Sequence, residues 1–202
     1  MVPPPTENVG GEGKTEDAGG AAGGQVTPGG SLGLALPRMT VLATCQSPDG
    51  PPNLITLSWH SPISRRPPLY GMSIDFSRAS HDMLEALGEW VINFMDCKDV
   101  KSVHYCGTHS GRKVDKWEET GLTPEPSGVV APPRVREAYA ALECRLFHSV
   151  PLGDHTWFTG EVVAAWRREG AFTDGILAPS ARPLFYLGKN TYDTSGEERE
   201  AF

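Results

Sequence analysis

The residues with the clearest chemical potential lie where a helix begins. Ser77, Arg78 and Ser80 precede or open the helical segment 81–87, which Gly88 ends. Either serine could cap the helix, and Gly88 stands where a left-handed residue is expected. Free N–H groups at a helix start, beside an arginine and two hydroxyls, form a favourable site for a phosphate. An ordinary capped surface helix could have the same sequence, so the segment alone leaves both interpretations open.

Two predicted strands lead into this helix. In residues 53–60 the side chains alternate, so that one face carries Leu54, Thr56, Ser58 and His60 and the other carries Ile55, Leu57 and Trp59. A row of hydroxyl groups is unusual on a core strand. Residues 69–76 form the second predicted strand, after a connection that ends at the pair Pro67 and Pro68.

Two other segments allow both a chemical and an ordinary interpretation. His104, Cys106 and His109 lie within six positions, but no fourth ligand is evident and the spacing fits no zinc pattern, so we predict no metal site. Residues 11–15 resemble part of a nucleotide-binding P-loop, but the required first glycine would fall at Asn8. No strand precedes that segment and no helix follows it, which argues against ATP binding.

A series of short segments, taken in chain order, resembles the flavin reductase-like domain, an FMN-binding split barrel, and its flavoredoxin branch in particular. The resemblance covers roughly residues 36–192. Its segments are residues 53–59, 67–68, 77–80, 88–93, 105–116, 142–145, 153–155, 160–162 and 183–188. No single segment is decisive, and the ordered set carries the likeness.

The resemblance implies a cofactor site. FMN needs a phosphate site, a polar edge for its pyrimidine ring and an apolar wall for its dimethylbenzene end. The cofactor-binding residues implied are Asn53, Thr56, Leu57, Ser58 and Trp59 along the first strand, Ser77, Arg78 and Ser80 at the phosphate, and Lys116 as a further flavin contact. Without the resemblance, Lys116 would be read as a surface residue paired with a carboxylate.

The resemblance also implies a catalytic role for His155, which follows the predicted turn at Gly153 and Asp154. Read alone, it would be a solvated turn histidine. The matching residue of related flavin reductases lies near the flavin face that receives nicotinamide. Hydride transfer needs no protein acid or base, so His155 is expected to position NADH or NADPH.

The remaining pattern predicts a mainly β fold with short helices, an antiparallel split β-barrel. Further strands are predicted at residues 39–44, 90–94, 139–150, 155–166 and 184–187, and helices at 98–106 and 115–120. We predict a disordered glycine- and proline-rich tail over residues 1–33, a single FMN-binding domain over 34–192, and a C-terminal tail over 193–202.

Composition and charge limit the class of protein. The formal net charge of −7 argues against a nucleic-acid surface, and no apolar run approaches the length of a membrane span. The four cysteines contain no CxxC pair and no secretory signal is visible, so we expect reduced thiols in the cytoplasm.

Two functions remain open. The first is an NAD(P)H-dependent oxidoreductase that reduces FMN and passes electrons to a partner protein or monooxygenase. The second is a non-enzymatic carrier of flavin or haem on the same barrel. The family likeness also implies a homodimer with FMN at the two-fold interface.

Overall fold

The computed structural model describes residues 24–196. Its helices are α1 (Ala79–Leu87), α2 (Val100–Thr108) and α3 (Lys116–Thr120), with short 3-10 helices at Pro28–Leu34 and Cys97–Asp99. Its strands are β1 (Arg38–Met39), β2 (Val41–Cys45), β3 (Asn53–Leu57), β4 (His60–Arg65), β5 (Pro68–Asp75), β6 (Glu89–Phe94), β7 (Pro124–Glu125), β8 (Arg134–Val135), β9 (Ala140–Leu152), β10 (His155–Arg167), β11 (Phe172–Thr173), β12 (Ile176–Leu177), β13 (Leu184–Gly188) and β14 (Thr191–Thr194).

A seven-stranded sheet with the order β3-β2-β6-β9-β10-β5-β4 forms the body of the fold. Every neighbouring pair in it is antiparallel. Its two edge strands, β3 and β4, are separated in the chain only by Ser58 and Trp59, so the edges of the sheet come together at this bend. The predicted antiparallel split β-barrel is therefore confirmed.

The side-chain alternation of β3 places its two faces in different apolar clusters. Ile55 and Leu57 pack in the barrel interior, around the fully buried rings of Trp90 and Phe158. Leu54 points the other way and packs in a second cluster, which also contains α2 residues. Because both faces are covered, nearly every residue of β3 is buried. This strand is thus held firmly between the barrel and α2.

The first predicted strand is shorter than expected. Residues 53–60 were predicted as one strand, but the chain bends at Ser58 and a separate strand, β4, begins at His60. The imidazole of His60 fixes this bend, since its Nε2 donates to the Met39 carbonyl (3.0 Å) and its Nδ1 accepts from the Tyr70 hydroxyl (2.6 Å). Burial lowers the pKa of His60, in keeping with a neutral ring.

Two helix boundaries also differ from the prediction. The helix predicted over residues 98–106 runs to Thr108 and is capped by His109, so Gly107 lies inside it. A Cβ on Gly107 would lie 3.1 Å from Cβ of Thr56, and the glycine therefore serves close packing of α2 on β3 rather than helix termination. The ends of α1 at Gly88 and of α3 at Gly121 are left-handed, as expected.

The chain divides into two units, Met1–Leu34 and Ala35–Phe202. Within the tail predicted to be disordered, residues 1–23 lie outside the described residues, and Pro28–Leu34 forms a 3-10 helix with no buried residue. The C-terminal tail predicted from residue 193 begins inside β14, because Thr191–Thr194 pairs with β13. Among the residues that the structure describes, no helix is long and apolar enough to span a membrane.

Candidate cofactor site

The start of α1 has no side-chain cap. Arg78 is the N-cap residue, with φ −77° and ψ 137°. No side chain caps the backbone N–H groups of the first turn in the described chain. The predicted cap by Ser77 or Ser80 is therefore wrong. Ser80 lies inside the helix, where its Oγ accepts a hydrogen bond from Asn53 Nδ2 (2.9 Å). Ala79 and Ser80 of the first turn line the adjacent cavity, and no side chain caps their N–H groups in the described chain.

The turn before α1 is held by Asp75. Its Oδ1 accepts the Ser77 N–H (2.7 Å). The Ser77 side chain, followed by this N–H, is the main cause of the lowered pKa of Asp75. The Arg78 N–H also bonds to the Asp75 carbonyl (3.1 Å). The backbone of Ser77 and Arg78 is thus fixed although both side chains are exposed.

The Arg78 side chain is not engaged in the fold. Within residues 24–196 its guanidinium makes no hydrogen bond and no salt bridge. Arginine presents several fixed donors that suit a phosphate or a carboxylate. An arginine at an uncapped helix start, with its donors unused, fits an anionic ligand better than the capped-helix interpretation.

Two adjoining cavities bring all ten predicted site residues together. Both are lined by Ile55, Arg78 and Gly107. The first has a volume of about 190 Å³ and is lined further by Thr56, Leu57, Ser58, Trp59, Ser73, Ile74, Asp75 and His155. The second, of about 110 Å³, is lined further by Asn53, Ser77, Ala79, Ser80, Cys106, His109, Ser110, Gly111 and Lys116.

The polar side chains of β3 have structural partners. The Thr56 hydroxyl donates to the Val103 carbonyl of α2, and Asn53 Nδ2 holds Ser80. A hydroxyl has a single donor, so Thr56 can meet a ligand only through its lone pairs or its backbone. Thr56 and Asn53 therefore shape the cavity wall, whereas no side-chain hydrogen bond engages Ser58 in the described chain.

Lys116 is buried, contrary to the surface interpretation that it would receive without the family likeness. Its Nζ donates to the Leu54 carbonyl (2.7 Å) and to the Cys106 carbonyl (2.7 Å), joining β3 to α2. Burial lowers its pKa, while the nearby thiols of Cys106 and Cys45 act in the opposite direction. Two of its three donors are used in this way. Lys116 thus supports the wall of the second cavity and has one donor left for a ligand.

His155 forms the opposite wall, against Trp59. The two ring centroids are 5.0 Å apart, with the planes inclined by 31°. His155 Nδ1 donates to Asp154 Oδ1 (2.6 Å). Arg38, on β1, has its Cζ 5.9 Å from the centroid of the Trp59 ring. The carboxylate fixes the orientation of the imidazole, and its Nε2 is the nitrogen left for another partner.

Two residues that shape the site were not predicted. Arg112 Nη1 donates to the Ser77 carbonyl (2.7 Å) and its Nη2 to Asp82 Oδ2 (2.8 Å), which ties the loop after α2 to the start of α1. A Cβ on Gly111 would lie 2.1 Å from Asn53 Oδ1, so this position requires glycine. Both stand in the segment 105–116 that carries the family likeness, but only its lysine was taken as a site residue.

The histidines and the cysteine weighed as metal ligands lie in different surroundings. His104 contacts Tyr192, with 3.3 Å between Nδ1 and the hydroxyl, whereas His109 stacks on Tyr105 and Cys106 is buried. Within residues 24–196, no group of three or more His, Cys, Asp or Glu side chains could hold a metal ion.

Comparison with protein families identifies a match over most of the chain. The model described as "Flavin reductase like domain" matches residues 33–195. A curated relative, the NADH-dependent FAD reductase of Streptomyces globisporus, is 30% identical over 129 residues, which cover 61% of this chain and 69% of the relative.

Two solved structures resemble the fold closely. The flavoredoxin of Methanosarcina acetivorans has a TM-score of 0.75 and 28% identity, with 82% of this chain and 88% of that chain covered. An FMN-binding protein from Thermus thermophilus, solved with bound 1-cyclohex-2-enone, has a TM-score of 0.74 and 30% identity, with coverages of 91% and 99%.

Proposed function

The chain belongs to the flavin reductase-like domain family, and we propose that it binds FMN in the two adjoining cavities and reduces it with NADH or NADPH. The observation that carries this proposal is the unengaged guanidinium of Arg78 at the uncapped start of α1. All the residues that the family likeness implies for FMN line the cavities on either side of it.

The second cavity suits the phosphate of FMN. The first N–H groups of α1, the Arg78 guanidinium and the Ser77 hydroxyl can all donate to phosphate oxygens. Lys116 adds a positive charge from below while its other donors hold β3 and α2. Because the backbone at the start of α1 and the Lys116 side chain are fixed before the ligand arrives, only the side chains of Ser77 and Arg78 must be ordered on binding.

The first cavity suits the ring system. Trp59 and Leu57 provide an apolar wall, and the Ser58 hydroxyl and the backbone at the end of β3 provide polar contacts. When bound, FMN would supply the ring that accepts hydride from a nicotinamide. At the bend, Ser58 and Trp59 lie outside both strands, and Ser58 lines the cavity.

His155 is proposed to position the nicotinamide. Its ring is fixed between Trp59 and Asp154, and its Nε2 is available at the edge of the first cavity. With Nδ1 bonded to a carboxylate, Nε2 of the neutral ring is an acceptor, which can receive a bond from a carboxamide N–H. His155 would thus orient the reductant, and no proton transfer by it is required.

The function of the relatives supports the choice of reductant. The Streptomyces relative is an NADH-dependent FAD reductase, and the solved neighbours include a flavoredoxin and an FMN-binding protein. We propose that electrons from reduced FMN pass to a partner protein or monooxygenase. A cytoplasmic location is proposed as well, because all four cysteines are free thiols.

A homodimer is proposed from the exposed end of β9. Beyond Arg145 this strand pairs only with β10, and it exposes Phe147 (57%) and Leu152 (59%). Apolar side chains of this size are usually covered by a partner when they lie together on a strand. In the family likeness, the corresponding interface adjoins FMN.

The visible spectrum of the purified protein, recorded anaerobically before and after addition of NADH and of NADPH, tests the enzyme. Bleaching of bound flavin by either nucleotide supports the proposal. Bound flavin that neither nucleotide bleaches would support the carrier, and a Soret band would support a haem protein. No uptake of FMN by the apoprotein would contradict the proposal entirely.

A further inference from the structure

Neither the family likeness nor the relatives assign a role to His109, which lies at the junction of α2 and the following loop. It is the C-cap residue of α2, and its side chain lines the second cavity together with Arg78 and Lys116. We propose that His109 binds the FMN phosphate as an imidazolium and makes FMN affinity depend on pH. This inference rests on the proposed function, because it assumes that the phosphate occupies this cavity.

The ring of His109 is held in one orientation. It stacks on Tyr105, with ring centroids 3.8 Å apart and an interplanar angle of 11°. Its Nδ1 lies 3.2 Å from the Tyr105 carbonyl oxygen and 3.1 Å from the Thr108 hydroxyl. The residue is exposed, yet stacking and hydrogen bonding remove much of its freedom before a ligand arrives.

These contacts assign the proton on the ring. A carbonyl oxygen only accepts, so the contact with Tyr105 favours a proton on Nδ1 that donates to it, and the Thr108 hydroxyl can then donate to the His104 carbonyl at 3.0 Å. In the neutral ring Nε2 then carries a lone pair, and nothing in residues 24–196 bonds to it. A phosphate dianion offers only acceptors, so contact with Nε2 requires the imidazolium.

The charges around His109 set the direction of the effect. The titratable or charged groups of the cavity are Arg78, Cys106 and Lys116, and Tyr105, which stacks on the ring, interacts with Glu119. Burial raises the pKa of Cys106 to about 11, so this thiol stays protonated near neutrality. FMN affinity should therefore fall as pH rises and the imidazolium loses its proton, unless Lys116 causes the same fall.

The experiment measures the dissociation constants of FMN and riboflavin at pH 6.5 and 8.5, for wild type, His109→Gln, His109→Phe and His109→Arg. Wild type should lose FMN affinity by about 3- to 10-fold between these pH values, the scale of one partly solvated charge-assisted bond. Riboflavin, which lacks the phosphate, should bind equally at both. The second ionisation of the phosphate, near pH 6, acts in the opposite direction and cannot imitate this fall.

The variants separate the possible sources. His109→Gln and His109→Phe should bind FMN more weakly than wild type at pH 6.5 and show no fall at pH 8.5; the phenyl ring retains the stack on Tyr105. His109→Arg should keep the affinity and lose the pH dependence. Lys101→Gln, an exposed charge removed elsewhere on α2, should behave as wild type.

Three results would overturn the inference. If the FMN affinity of His109→Gln still falls as pH rises, deprotonation of Lys116 rather than of His109 causes the fall. Equal weakening of FMN and riboflavin in both His109→Gln and His109→Phe would mean general damage to the cavity. If FMN binding is unchanged in these variants and wild type still prefers FMN to riboflavin, His109 does not bind the phosphate but the proposed phosphate site stands. If wild type binds both flavins equally, the proposed phosphate site is wrong as well.

Discussion

At the scale of single residues, Arg78 is the position at which the proposed binding of the phosphate can be tested separately from binding of the ring. Its backbone is fixed by Asp75, whereas its guanidinium has no bond to the described chain. Removing the side chain therefore removes no hydrogen bond and no salt bridge of the described chain. A large effect of its substitution on FMN is thus expected to come from the ligand, which makes Arg78 the most informative position for testing the cofactor.

We expect Arg78→Ala to weaken FMN by about 1.5–3 kcal/mol, the usual contribution of a hydrogen bond to a charged group. Riboflavin affinity should hardly change, because riboflavin lacks the phosphate that this side chain is proposed to bind. Titration of both flavins into the apoprotein measures the difference, and Arg65→Ala on β4 is the control. Unchanged FMN affinity would exclude Arg78 from the site, and equal losses for both flavins would indicate damage to the cavity.

The buried thiols give a second prediction at this scale. Burial raises the pKa of Cys45 to about 11 and that of Cys144 to about 12, from an ordinary value of 9.0. The unfolded chain loses these protons at lower pH than the folded protein, so the folded state binds more protons between pH 9 and 11. The free energy of unfolding should fall as pH rises through this range.

Urea unfolding at pH 8 and 10.5 measures that fall. Cys45→Ala should be less stable than wild type at pH 8 but should lose less stability at pH 10.5, whereas Cys97→Ala, at a half-buried position, should keep the full fall. Burial also raises the pKa of Tyr139 to about 12, which adds a loss of the same sign above pH 10. Equal slopes for Cys45→Ala and wild type would contradict the role of this thiol.

At the scale of elements, the site depends on how β3, α1 and α2 are joined. Lys116 joins β3 to α2, Asn53 joins β3 to α1, and Arg112 joins the loop after α2 to the start of α1. Each link lies directly beside the second cavity. The second cavity, which we propose as the phosphate site, is therefore formed by three elements that come from separate parts of the chain.

Gly111→Ala tests this junction. The added Cβ would lie 2.1 Å from Asn53 Oδ1, so Asn53 must move and its bond to Ser80 must break. We expect a loss of about 1–3 kcal/mol of unfolding free energy, the scale of overpacking, and weaker FMN binding. Urea unfolding and flavin titration measure both, with Gly33→Ala as the control because nothing lies within 4 Å of its added Cβ. If Gly111→Ala keeps the stability and the FMN affinity of wild type, the residues around Gly111 can accommodate the added Cβ and the prediction is wrong.

At the scale of the whole molecule, the exposed end of β9 leads to a prediction about the state of assembly. We expect sedimentation to give a dimer of the 21.8 kDa chain, because Phe147 and Leu152 are exposed on a strand that lacks a second neighbour. Phe147→Glu should give a monomer, since burying an unpaired charge in an interface is costly. Ile176→Glu, at an exposed apolar residue of β12, should remain dimeric. A wild-type monomer with flavin bound would refute this prediction.

The first unit of the chain should be dispensable. Residues 1–33 contain ten of the 23 glycines, and the described part of this unit buries no side chain in its 3-10 helix. A protein that starts at Leu34 should keep the melting temperature and the flavin content of the full chain. A lower melting temperature or lost flavin would show that the removed segment stabilises the barrel.

The sequence by itself determined the local part of this protein. Alternating side chains predicted β3, Gly88 predicted the end of a helix, and the ordered motifs predicted the family. These features depend on backbone propensities and on residues near each other in the chain, so a single sequence contains them.

Only the tertiary structure decided which polar groups remain for a ligand. Residue types alone could not show that Thr56 and Lys116 use donors within the fold, or that Arg78 does not, because their partners come from other elements. The bend at Ser58 and the uncapped start of α1 likewise follow from long-range contacts, those of His60 with β1 and of Ser80 with β3. Packing and hydrogen bonding between distant segments override local preference, and for that reason they appear only in the folded chain.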